Sequence, residues 1–253
     1  MILRSLTKHL KEQNWFAVGL DFSIVVIGVF IGIQVANWNE ARAEYKKETE
    51  ALIELRNELR SSILLTRAKG EAYDQAAEAG RRSLAFLDTN NECITACWDR
   101  LVDFMHASQW QSLEINHSSY RNMRDQGFPT SALITKAVEA YLAQVDGNVN
   151  GFDVLPVYRS LVRQVINIEA QEYYWEKCWS LVDGIEKYNL NCPEGIPPGE
   201  ATMLVNEVID DPSIERHLTE WVGAIVSLPL TLRDQNLAAQ RAVDLISEEI
   251  ERR

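Results

Sequence analysis

Four features are scarce or missing in this chain, and each absence narrows its role. Basic residues are in deficit: 37 Asp and Glu against 25 Lys and Arg give a formal charge of -12 and a pI near 4.9. Nucleic-acid binding draws on basic patches, so that class is excluded, together with broad adhesion to anionic lipid; a solvated acidic surface accounts for the charge. Strand-like alternation of apolar and polar residues is nearly absent, which points to an all-α fold. Catalytic signatures are missing as well. There is no G-x-S-x-G, CITACW lacks the histidine of a haem-attaching C-x-x-C-H, and His106 and His117 follow Cys93 and Cys97 at no recognised zinc interval. Adjacency of His117, Ser118 and Ser119 is not a catalytic arrangement, and Asp210 with Asp211 or Glu248 with Glu249 read as solvated helix ends. The expectation is a non-enzymatic protein with no catalytic residues, no metal and no cofactor. Lastly, a second bilayer-length apolar run is lacking, so whatever the chain does hangs from one anchor.

That anchor is Trp15–Trp38, WFAVGLDFSIVVIGVFIGIQVANW. About 20 mostly apolar residues cross the hydrocarbon core as a helix, and Trp15 and Trp38 stand where interfacial aromatics sit. The run is too long for a cleaved signal, and no small-x-small site follows it, so it is expected to be retained. Gly28 and Gly32 form a G-x-x-x-G that lets another helix approach closely, with Ser23 and Gln34 as flanking polar contacts. Asp21, near the cytoplasmic end, is expected to snorkel to the interface. Lys and Arg are balanced across the span, but Glu40, Glu44 and Glu48 offset the downstream cations. The four cysteines form two close pairs, Cys93 with Cys97 and Cys178 with Cys192, as local disulfides in an oxidising compartment do. Both facts place the amino terminus in the cytoplasm of a bacterial inner-membrane protein and the remainder in the periplasm. The expected division is a cytoplasmic amphipathic segment at 1–14, a transmembrane helix at 15–38 and a periplasmic helical domain at 39–253.

Beyond the span, Tyr45, Leu52, Leu55, Leu59 and Ile63 recur at spacings of three and four or their multiples, and no proline lies between Trp38 and Asp88. The membrane helix should therefore continue as a long rod that packs into a bundle. DTNNECITAC at 88–97 breaks it. Helices are expected over 98–108, over 117–127 closed by Gly127 in a left-handed cap, and over SALITKAVEAYLAQV. DGNVNGFD at 146–153 reads as a loop. Leu155–Tyr188 reads as a core-lining helix, in which Tyr173, Tyr174, Trp175 and Trp179 either pack the core or floor a ligand pocket. After the irregular NLNCPEGIPPGEAT, a helix starts with Asp211 as N-cap and Pro212 at the first position. A last helix, kinked at Pro229 and carrying a Val243, Ile246 and Ile250 seam, is long enough to lie antiparallel to the rod.

IVVIGVFIGIQVANWNEAR, followed by a charged stretch and SSYRNMRDQGFP, resembles a bacterial family of single-span membrane proteins known as a domain of unknown function. Its members begin with a basic segment and an IGVFIGIQ-x-x-NWNE-like anchor. The likeness is close over residues 14–42 and looser beyond, where the helix ending near Gly127 is the second landmark. The resemblance implies the topology and the helical fold, and it lends no catalytic residues. The expected role is an accessory or scaffold subunit that contacts membrane lipid and either other membrane subunits or a second copy of itself. The alternative is an extracytoplasmic ligand-sensing bundle that signals through a separate membrane partner.

Overall fold

One helix, α1, runs without a break from Trp15 to Leu87. The computed structural model describes residues 15–89, 92–152, 154–182 and 184–253, with the side chains of residues 15–19 and 21 outside that set. The expectations for residues 1–14, for the Trp15 ring and for the Asp21 carboxylate thus lie outside the described residues. The chain divides into two compact units, Met1–Ala51 and Leu52–Arg253. In the first, an 18-residue stretch of mean hydropathy 1.6 is long and apolar enough to cross a membrane, and none of it is buried. Tyr45 is also exposed, so the buried apolar seam of α1 begins at Leu52, in the second unit, where Leu52, Leu55, Leu59 and Ile63 are buried.

The second unit is built around α2 (Cys97–Ala107), which is buried on nearly every face from Leu101 to Ala107. An apolar helix of this kind belongs at the centre of a domain. Around it and α1 follow α3 (Ser118–Asp125), α4 (Ala132–Phe152), α5 (Val157–Val165), α6 (Ile168–Lys177), α7 (Pro198–Asp210), α8 (Pro212–Ile225) and α9 (Leu228–Arg252). The all-α class is what the residue spacing predicts. α2 packs chiefly on α7, and α9 chiefly on α4. Along α1, Thr66 meets Gln235 and Gly70 faces Leu232, so α9 runs antiparallel to α1, as its length allows. Tightest along α1 is Gly80, where an added Cβ would collide with Val222 Cγ2.

Two caps form as the sequence predicts. Gly127 adopts a φ of +83°; its N–H donates to Arg124 O at 3.0 Å and the Phe128 N–H to Met123 O at 2.9 Å, which is the Schellman arrangement. Asp211 Oδ1 accepts from the Ser213 N–H at 2.9 Å, ahead of Pro212 in the first turn.

Three expectations are corrected. The segment 146–153 is no loop through Phe152, because α4 continues to that residue. Asn148 is buried and donates to Gln235 Oε1 at 2.7 Å, Gln235 Nε2 reaches Thr66 Oγ1 at 3.3 Å, and Trp110 Nε1 donates to Phe152 O at 2.8 Å. Tertiary hydrogen bonds outweigh the weak helix propensity of glycine and asparagine. Pro229 does not kink a helix; it occupies the first turn of α9, where a missing N–H costs nothing. Leu155–Tyr188 is not one helix but α5, α6 and an antiparallel hairpin, β1 (Trp179–Val182) and β2 (Ile185–Tyr188), with Trp179 opposite Tyr188. Asn167 makes the first break by accepting the Ala170 N–H at 3.0 Å. The hairpin turns at Gly184, φ +77°. Both expected disulfides are present, and Cys178–Cys192 brackets this hairpin.

Candidate functional site

The aromatic residues of α6 and β1 divide between core and shelf. Tyr174 is 1 % exposed. Its hydroxyl accepts from Gln109 Nε2 at 2.9 Å and lies 2.6 Å from His106 Nδ1. His106 Nε2 faces the Asn189 carbonyl at 3.2 Å; a carbonyl only accepts, so Nε2 carries the proton, and Nδ1 accepts from Tyr174. Burial drives the His106 pKa down to about 4, so the ring is neutral at pH 7. Tyr173 stands edge-on to Trp98, with ring centroids 5.5 Å apart. Its ring also occupies the space where any side chain at Gly195 would sit. Trp175 and Trp179 are half-buried and meet edge to face at 5.1 Å. Tyr174 is therefore packed inward, while Tyr173, Trp175 and Trp179 are half-buried, the two tryptophans forming a partly open shelf.

Over that shelf lies a basic cluster that the sequence reading missed. Arg159 and Arg163 stand one turn apart on α5, and both reach the C-terminus of α2. Arg159 Nη1 donates to Ser108 O at 2.8 Å, and Arg163 Nε to Ser108 Oγ at 3.1 Å. The Arg163 guanidinium lies 4.9 Å from the centre of the Trp175 ring. Burial, then repulsion from Arg159, lowers the Arg163 pKa to about 10, and burial lowers that of Arg159. Lys69, buried on α1, donates to the carbonyls of Ser112 and Glu114, and desolvation lowers its pKa. Among the described residues, no carboxylate lies within ion-pair distance of these three cations.

Two carboxylates are in the neighbourhood, of which Glu114 acts on Lys69. Glu186 acts electrostatically on Lys69, Arg159 and Arg163, but it accepts a hydrogen bond from the Tyr188 hydroxyl at 2.7 Å. Glu186 and Tyr188 share a face of β2 because strand side chains alternate. Tyr73, on α1, donates to Gln111 O at 2.7 Å, and burial raises its pKa to about 12. Burial likewise raises the Tyr174 and Tyr188 pKa values, so all three phenols keep their protons. Chemically the cluster offers fixed positive charge and N–H donors beside aromatic faces. The i, i+4 arginines of YRSLVRQV were the available signal, but their common partner, Ser108, lies about 50 residues away in sequence.

In the first unit, Gly28 and Gly32 meet nothing within 4 Å of an added Cβ. Ser23 and Gln34 are exposed on the same helix, as are Phe30 and Ile31. Trp38 is exposed, with the Arg42 guanidinium 5.7 Å from its ring centre. Among the described residues, no cluster of three or more His, Cys, Asp and Glu is placed to hold a metal. No protein-family model, characterised protein or solved structure matches the chain.

Proposed function

We propose that the chain is a non-enzymatic accessory or scaffold subunit of the bacterial inner membrane, a member of the single-span family that its anchor resembles. Its amino terminus is cytoplasmic and its helical domain periplasmic. It associates with other membrane subunits or with a second copy through the transmembrane helix and the periplasmic bundle. The observation that carries this reading is the apolar, wholly exposed stretch of α1 in which Gly28 and Gly32 leave the backbone uncovered. In lipid, such a face gains from close backbone packing with another helix. The two disulfides support an oxidising compartment for the second unit. Mass spectrometry of the non-reduced protein should find no free thiol; four free thiols would remove the periplasmic assignment. Crosslinking in native membranes should yield adducts with another subunit or a second copy, and a chain recovered only as an unlinked monomer would contradict the reading.

A second reading, an extracytoplasmic ligand-sensing bundle acting through a separate membrane partner, is favoured by one observation. Arg159 and Arg163 stand without a carboxylate in ion-pair range among the described residues, Arg163 over the Trp175 ring. A thermal-shift screen of small metabolites separates sensing from scaffolding.

A further inference from the structure

We infer that Arg159, Arg163 and Lys69, with the Trp175 and Trp179 shelf, form a binding site for a small organic anion that presents carboxylate or phosphate oxygens. The inference rests on the ligand-binding reading and gives its ligand a chemistry.

The first ground is charge. Arg159, Arg163 and Lys69 share the field of one carboxylate, Glu186, already engaged by Tyr188, while Glu114 acts on Lys69 besides; among the described residues neither carboxylate is within ion-pair distance of the three cations. The carbonyl end of α2 adds about half a negative charge. One arginine would suffice to cap that helix. The second is repelled by the first, and both carry a desolvation penalty, so the surplus positive charge has no internal use.

The second ground is the kind of group left unmet. Arg163 Nη2, Gln111 Nε2 and Trp179 Nε1 are buried with no hydrogen-bond partner. All three are donors. The Gln111 side chain is more than nine-tenths buried, and its backbone is tied to the Tyr73 hydroxyl that borders the cluster. Unmet donors beside fixed positive charge are complementary to a molecule that offers acceptors and negative charge.

The third ground is preorganisation and access. The Arg163 plane is fixed by Trp175 beneath it and Ser108 at Nε, which leaves the buried Nη2 without a partner. Arg159, Arg163, Trp175 and Glu186 are only half-buried, so the cluster is open to solvent. The net charge of -12 works against polyanions and acidic surfaces, and Glu186 limits the tolerated charge further. A soluble anion of one or two negative charges fits best.

The test uses the full chain in neutral detergent at constant ionic strength, titrated with inorganic phosphate, succinate or citrate against chloride. Unfolding temperature and tryptophan fluorescence are both followed. The expected result is a saturable fluorescence change and a raised unfolding temperature with at least one probe in the millimolar range or below. Phosphate alone would mark a phosphoryl ligand, and succinate or citrate alone a carboxylate one. Arg163→Gln should weaken the response at least tenfold, and Arg163→Lys, which keeps the charge but loses the fork, by less. General salt stabilisation would not depend on Arg163. No saturable response to any probe, or an Arg163→Gln variant that folds and responds like the wild type, would overturn the inference. Membrane crosslinking of the same samples is read separately, so failure of anion binding is distinguishable from failure of the accessory-subunit reading.

Discussion

His106 lies between Tyr174 and Asn189 with both ring nitrogens engaged, and its stabilising contribution depends on pH. Its folded pKa of about 4 lies below the ordinary histidine value of 6.5. Above pH 6.5 the ring is neutral in both states and the contribution is whole. Between 6.5 and 4 the unfolded chain takes up a proton that the folded chain refuses, so stability falls as pH falls, by up to about 3 kcal/mol at roughly 1.4 kcal/mol per unit. Urea unfolding of the full chain in neutral detergent between pH 7 and 4.5 should show this loss, and His106→Gln should remove that part of the slope. An unchanged slope in the variant would dismiss the assignment. Gly80 gives a second prediction. Alanine in a helix interior normally gains on glycine, but here its methyl would collide with the stiff β-branched Val222. Gly80→Ala should therefore lower stability by about 1–3 kcal/mol, and adding Val222→Ala should recover most of it. At this scale the sequence discloses what depends on near neighbours, such as Gly127 in its positive-φ cap and Asp211 before Pro212. It conceals what depends on distant ones: nothing near Arg163 announces Ser108, and nothing near His106 announces Tyr174.

Elements follow the same rule. The long α1 is legible from periodicity and the absence of proline, the break after Leu87 from its turn residues, and the body of the final helix from periodicity, all of them local signals. The extension of α4 through Gly147 and Gly151 was not, since Asn148 is held by Gln235 and Thr66 on two other helices. The hairpin had a local signal that went unweighed: Asp183-Gly184 between short apolar runs favours a two-residue turn. A strand pair of four residues each is marginal alone, and Cys178–Cys192 closes it into a loop of sequence separation 14. Chain-entropy reasoning gives such a closure about 3 kcal/mol. Replacing both cysteines by serine should lower stability by that order and make 179–192 the first site of limited proteolysis. Unaltered stability and cleavage would show that packing against α6 suffices without the crosslink.

For the whole molecule, one apolar stretch, one buried helical core and a strongly acidic surface define what the chain can touch. The apolar stretch of α1 is long enough to cross a membrane, and the formal charge of the chain is -12. The fold class was open to the sequence because helical spacing pervades it. The basic cluster was not, because α1, α2, α5 and β2 each bring one part of it. The central claim is association through the anchor, and Gly28 and Gly32 are its most direct handle. Crosslinking in native membranes should be compared for the wild type and for Gly28→Ile with Gly32→Ile. The wild type should give adducts with a subunit or a second copy, and the variant should lose them with the chain still membrane-inserted. Equal crosslinking in both, or none in either, would contradict that claim.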